Sequence, residues 1–332
     1  MPSWRAHIAG IVLSMSFLSL LRSFTTRSIA PNSRSIMSSL TLTLNDGNKI
    51  PWLGFGTGTA LYSKDAEDAV RQAIQIGVVH LDGAQVYNNE ESLGVGIATA
   101  GKPRSSLFIT TKLNLIPAGQ TVRDTLVASL KKLQTDHVDL FLIHFPINHQ
   151  TPLPEIWAQF EEIQKEGLAK SIGVSNFRVK DFEEILPTAK VIPAVNQVSS
   201  APMPDLIEYH PYVFKADQPV IEFMKKHNIT PTSYGGLTPI VRFKGGPVDP
   251  VLASAAARLS KEAGTTVTEG QVLQLWLRSK GIPAITTSSK ASRVKEYLAA
   301  ETLPDLTPGE IAAIEQEGSK VHHRVFAKFF DS

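Results

Sequence analysis

Between Phe55 and Glu301 the chain repeats one pattern eight times: a short apolar run, then an amphipathic stretch. The runs are FGTGTA, VVHLDGA, SLFITTKL, HVDLFLIHFP, AKSIGVSNF, IPAVNQV, ITPTSYGG and GIPAITTSS. They are continuous rather than alternating, as strands buried on both faces of a parallel sheet must be. The stretches between them, such as KDAEDAVRQAIQIG, TVRDTLVASLKKL and EGQVLQLWLRS, carry the helical period. Thr121 and Asp124 outline a capping box ahead of the third helix. Eight strand-helix units in about 260 residues predict an α/β fold, a closed (β/α)8 TIM barrel, over an open doubly wound sheet. No Gly-x-Gly-x-x-Gly turn joins a strand to a helix, and Gly56 and Gly58 supply only GTG, which a bland turn explains. Ahead of the first unit, LTLNDGNKIP reads as a hairpin turning at Asn45 to Asn48.

Composition narrows the chemistry. There is no cysteine, which excludes disulfides, thiolate metal sites and cysteine nucleophiles. Lys and Arg number 33 against 31 Asp and Glu and form no runs, so no nucleic-acid surface is expected. The histidines lack close ligand spacing apart from His322 and His323, and no metal site is expected.

Residues 1–36 differ from the rest. They hold Arg5, Arg22, Arg27 and Arg34 and no acid. Ile8 to Leu21 is apolar but shorter than the roughly 20 residues of a membrane span. Three readings stay open: a secretory signal peptide, a mitochondrial presequence, or codons upstream of a true start at Met37. The expected domains are therefore an extension, 1–36, and one barrel domain, 37–332. The expected location is cytoplasmic, or mitochondrial or secretory if the extension is a translated targeting segment. No membrane contact is expected of the barrel.

In such a barrel the chemistry sits at the carboxyl ends of the strands. The polar residues there are Asp82, Lys112, His144, Ser175, Asn176, Gln197 and Tyr234, with Tyr87 on the loop after the second strand. Singly, each has a structural explanation; together they converge on one rim. Free tyrosine, with a pKa of about 10, is a sluggish proton donor, and a nearby ammonium brings that value down. Lys112 is the candidate ammonium, and Asp82 would hold it charged and in place. His144 would orient a substrate oxygen, and Tyr87 would protonate it as the neighbouring carbon receives a hydride. Glu90 reads as the acidic start of the following helix.

The stretches GFGTGTA, LDGAQVYNNE, TTKL, LIHFP, GVSNF, AVNQ and EYHPY resemble the aldo-keto reductase family over essentially all of residues 40–332. TSYGGLTPI and ITTSSKASRVKEYL carry a narrower resemblance to fungal α-dicarbonyl reductases, also called conjugated polyketone or ketopantoyl-lactone reductases. The resemblance implies an NADPH-dependent reductase of aldehydes and ketones, with Tyr87, Lys112, Asp82 and His144 in the roles above. It implies that Ser175, Asn176 and Gln197 hold the nicotinamide carboxamide, that Tyr234 stacks on the ring, and that Gly235, Gly236 and Leu237 meet the pyrophosphate. Ser288, Lys290 and Arg293 become candidates for the 2′-phosphate and adenine, with Glu296 at the adenine edge. Members of this type are often monomeric, so a monomer or weak dimer with a small carbonyl substrate is expected.

Three departures stand out. Thr287 occupies a position where many members have lysine, so Lys290 would supply the charge that favours NADPH. Phe145 follows His144 where tryptophan is common, and with Tyr62 and the tail VHHRVFAKFF it would line the substrate pocket; the tail is expected over the catalytic face. Val198 to Leu206, VSSAPMPDL, stands between Gln197 and the EYHPY stretch. It reads either as a substrate loop or, the favoured reading, as a splicing artefact. The alternatives to a working reductase are therefore an NADPH-binding accessory or sensor protein, or a family member impaired by this insertion.

Overall fold

The computed structural model describes residues 40–198 and 208–324. These lie within one compact unit, Ser39–Ser332. The extension 1–36, residues 199–206 of the insertion and residues 325–332 of the tail lie outside the described residues.

The chain opens with the predicted hairpin. Strands β1 (Thr41–Thr43) and β2 (Lys49–Pro51) pair antiparallel, with Leu42 opposite Ile50. Gly47 takes φ 84° in the turn, and Asp46 Oδ1 accepts from Asn48 N at 3.0 Å. The buried Leu44 and Ile50 pack with Leu140, Leu142 and Val195 from the barrel interior, so the hairpin closes its amino-terminal mouth.

Eight strands then form a closed parallel barrel. They are β3 (Leu53–Gly56), β4 (His80–Asp82), β5 (Phe108–Leu113), β6 (Val138–Ile143), β7 (Ala169–Ser175), β8 (Val195–Val198), β9 (Thr230–Tyr234) and β10 (Ala284–Thr286). Each pairs with the next in sequence, and β10 closes on β3 with Ala284 opposite Leu53. On β6, Leu140 and Leu142 face the interior while Phe141 and Ile143 join the cluster under the helices. Burial on both faces is why these runs are continuous in the sequence.

The helices are α1 (Glu67–Ile76), α2 (Glu90–Thr99), α3 (Val122–Leu133), α4 (Leu153–Lys165), α5 (Val179–Ile185), α6 (Gln218–Lys226), α7 (Thr238–Val241), α8 (Asp249–Ala263), α9 (Glu269–Ser279), α10 (Ala291–Ala299) and α11 (Pro308–Gly318). The Thr121–Asp124 capping box is present at α3. The strands are shorter than the apolar runs that mark them: β3 ends at Gly56, and β4 spans only His80–Asp82, because the chain leaves the barrel there to build the rim. Of the tail, Val321 to Arg324 is described. His323 N donates to Tyr212 O at 3.2 Å, and Arg324 Nη2 pairs with the buried Asp217 at 2.8 Å.

Candidate active site

Register brings the first charged pair together. Asp82 ends β4 opposite Thr110 of β5, and Lys112 lies two residues further along β5. Two residues along a strand is the same face, so Lys112 reaches back to the carboxylate. Its Nζ donates to Asp82 Oδ1 at 2.6 Å and to Gly83 O at 2.8 Å, with both side chains essentially inaccessible. Burial pulls the Lys112 pKa below its ordinary value, and Asp82 opposes that pull. A buried pair of this kind is weak evidence for stability, because desolvation offsets the attraction. It is a way to keep an ammonium in a dry site.

Tyr87 ends a 3-10 turn, Gln85–Tyr87, that Asn88 closes with φ 56°. Its ring is boxed in. Lys112 Nζ is 5.1 Å from the ring centroid. The His144 ring meets it edge-on, with centroids 5.5 Å apart, and Tyr62 does the same at 6.1 Å. On another side lies Gly58, where a Cβ would come within 2.6 Å of Tyr87 Cζ and 2.9 Å of its hydroxyl oxygen.

His144 follows β6 and is fully buried. Burial, and then the Lys112 charge, hold its pKa well below the ordinary histidine value. The imidazole is therefore neutral, with one N–H to donate. Neither ring nitrogen has a hydrogen-bond partner among the described residues. Phe145 stacks on the imidazole with centroids 4.0 Å apart.

Asp82 also reaches a second group. Gln197 Nε2 donates to its Oδ2 at 2.8 Å, while Gln197 Oε1 is buried without a partner among the described residues. Ser175 Oγ donates to Gln197 O at 2.7 Å. Asn176 sits in the left-handed region at φ 64°, which asparagine tolerates, and its Nδ2 donates to His144 O at 2.9 Å. The ends of β4, β5, β6, β7 and β8 thus form one connected polar floor.

Beside this floor lies a cavity of about 260 Å³ between the ends of β9 and β10 and helices α9 and α10. Tyr234, Gly235, Gly236 and Leu237 line it, as do Thr59, Arg242, Gln274 and Thr287. Tyr234 donates its hydroxyl to Thr59 Oγ1 at 2.6 Å. Gly235 has φ 76°, a conformation that favours glycine, and a Cβ on Gly236 would meet Leu277 Cδ1 at 2.8 Å. The wall here is bare backbone, as close approach of a phosphate requires.

Ser288, Lys290, Arg293 and Glu296 do not line this cavity. Lys290 is exposed at the start of α10, and its N–H donates to Ser288 Oγ at 3.0 Å. Arg293 pairs with Glu296 at 3.8 Å, and Glu296 Oε1 also accepts from Thr268 Oγ1 at 2.6 Å. A larger hollow of about 810 Å³ lies beside the hairpin and α6, away from all these residues.

The aldo/keto reductase family model matches residues 52–317. The chain belongs to the aldo/keto reductase family. It is 39% identical over 295 residues to the NAD/NADP-dependent indole-3-acetaldehyde reductase of Schizosaccharomyces pombe, covering 86% of this chain and 98% of that one. It is 32% identical over 292 residues to the NADPH-dependent alpha-keto amide reductase of Saccharomyces cerevisiae, covering 83% and 90%. A crystal structure of a Bombyx mori aldo-keto reductase in complex with NADP superposes with a TM-score of 0.72 at 31% identity, covering 89% of this chain and 97% of that one.

Sequence reasoning on this aldo/keto reductase missed Thr59, Arg242 and Gln274 and read Gly58 as part of a bland turn. Thr59 and Arg242 leave no motif, since they reach the cavity from loops whose path only the closed barrel fixes. Gln274 left one signal, an amide inside the apolar run VLQLWL.

Proposed function

We propose that this chain is an NADPH-dependent reductase of aldehydes and ketones in which Tyr87 delivers the proton. The observation that carries this reading is the Tyr87 ring held between the buried Lys112 ammonium and a neutral His144. The residues present fit the cofactor. Among the described residues Gln197 Oε1 and Thr287 Oγ1 are buried polar atoms without partners, and the Gly235–Gly236 wall exposes backbone to an anionic group. Ser175, Asn176 and Gln197 would hold the carboxamide, Tyr234 the ring face, and Gly235 to Leu237 the pyrophosphate. Ser288, Lys290 and Arg293 would meet the 2′-phosphate from the rim, with Glu296 at the adenine edge. NADPH, when bound, supplies the hydride.

The chain's own residues do the rest. His144 donates its N–H to the substrate carbonyl oxygen and sets its direction. Lys112 lowers the cost of taking a proton from the Tyr87 hydroxyl, because a nearby cation favours the phenolate left behind. Asp82 keeps that cation in place and, through Gln197, ties the proton-delivery half of the site to the cofactor half. Tyr62 and Phe145 flank Tyr87 and His144 and give the pocket apolar walls.

The substrates proposed are carbonyls flanked by a second carbonyl. The narrower sequence resemblance and the α-keto amide activity named for the yeast relative both support this. The test is NADPH oxidation by the purified chain with simple aldehydes and with α-diketones. A higher kcat/KM on the α-diketones is expected. NADPH binding with no turnover on either class would refute the reductase reading and leave a cofactor-binding sensor.

A further inference from the structure

Helix α9 carries two buried glutamines three residues apart, and the protein treats them differently. Gln271 is fully used within the fold. Its Oε1 accepts from Thr268 N at 3.0 Å in the capping box, and its Nε2 donates to Glu296 O at 2.8 Å. Gln274 is 2% exposed, yet neither its Nε2 nor its Oε1 has a hydrogen-bond partner among the described residues. Its neighbours Val272, Leu273, Leu275, Trp276 and Leu277 are all buried and apolar, so packing alone calls for an apolar residue here. A buried amide with nothing to bond costs stability. Gln274 also lines the 260 Å³ cavity, together with Gly235 and Gly236.

We propose that Gln274 is a cofactor-binding residue that meets the central pyrophosphate–ribose part of the dinucleotide from the helix side. The assignment rests on the functional reading above. The chemistry is complementary. An amide offers two N–H donors and a carbonyl acceptor. Pyrophosphate oxygens accept, and ribose hydroxyls both donate and accept. Arg242 lines the same cavity and adds a positive charge to it. The cost of the unpartnered amide in the free protein is then offset when the cofactor binds, which couples cofactor affinity to the stability of α9.

The test uses the full chain with Gln274→Leu and Gln274→Met, apolar side chains of similar size. Dissociation constants are measured by calorimetry for NADPH, for ADP-ribose, which holds the central portion, and for 2′-AMP, which has no 5′-phosphate and so lacks the pyrophosphate. Melting temperature is measured without ligand. The expected result is about tenfold weaker NADPH and ADP-ribose binding, the equivalent of one or two hydrogen bonds. Affinity for 2′-AMP stays within about twofold, and the ligand-free Tm rises by about 2 °C as the unpartnered amide is removed. Unchanged NADPH affinity in both variants would overturn the assignment. So would an equal loss for all three ligands with a lower Tm, which marks a structural role. A wild-type chain with no NADPH affinity would instead sink the functional reading itself.

Discussion

Gly58 shows how much a single missing side chain can position. Its φ lies outside the left-handed region, so the backbone does not demand glycine; the space does. Any Cβ there would press on Cζ and the hydroxyl of Tyr87. Displacing a reacting group by about 1 Å costs on the order of a hundredfold in rate. Gly58→Ala is therefore expected to lower kcat by about that factor while leaving NADPH affinity unchanged. In a Tyr87→Phe background the same substitution is expected to cost little more, because the hydroxyl it displaces is gone. Steady-state kinetics on the four proteins check this, and simple additivity of the two losses would count against it. At this scale the sequence was only partly legible. Asp82, Lys112 and His144 stand at strand ends, with Tyr87 on the loop after one of them, and can be picked out by type and place. The contact between Gly58 and Tyr87 joins positions 29 apart through a loop path that no local pattern encodes.

Helix α2 is held by close approach rather than by large side chains. A Cβ on Gly94 would come within 2.1 Å of Lys132 O in α3, and one on Gly96 within 2.7 Å of Glu67 O in α1. Backbone cannot yield as a flexible side chain does. Replacing a helical glycine by alanine ordinarily stabilises by up to about 1 kcal/mol. Here the sign should invert: Gly94→Ala is expected to cost about 1–3 kcal/mol, as overpacking does. Gly309, in α11 with nothing within 4 Å, is the control, and Gly309→Ala should be neutral or stabilising. Urea unfolding of both variants checks the pair, and equal effects would refute the packing argument. The elements themselves were largely readable. Continuous apolar runs gave all eight barrel strands, and Asn45 to Asn48 gave the hairpin. Helix α11 was overlooked although Thr307 and Glu310 form a capping box with Pro308 at its first position. Helix α7 is only Thr238–Val241, too short for a periodic signal.

The closed barrel makes a dry interior, and that has consequences for stability as well as for the site. His80 lies inside it, with Nε2 2.9 Å from Thr110 Oγ1, and burial pushes its pKa down to about 4 despite the nearby Asp82 carboxylate. Between pH 6.5 and about 4 the unfolded chain takes up a proton at this residue that the folded barrel refuses. Stability is therefore lost as pH falls through that window. Measured against His80→Gln, wild type should lose about 2–3 kcal/mol of its relative stability between pH 7 and pH 4.5. A difference that stays constant with pH would exclude His80 as the cause. The barrel's eightfold repeat was legible as a whole, but the cavity proposed for the cofactor was not. Its walls come from β9, β10, α9 and α10, whose juxtaposition follows from closure and not from any one segment. The central claim, that this barrel exists to hold Tyr87 as a proton donor beside Lys112 and His144, has one direct test. Single-turnover reduction of an α-diketone by bound NADPH is followed in wild type and in Tyr87→Phe, with the NADPH dissociation constant measured in both. The expected result is a rate lower by about 10²–10⁴-fold with the dissociation constant within about twofold. A Tyr87→Phe protein that still turns over within about tenfold of wild type would contradict it.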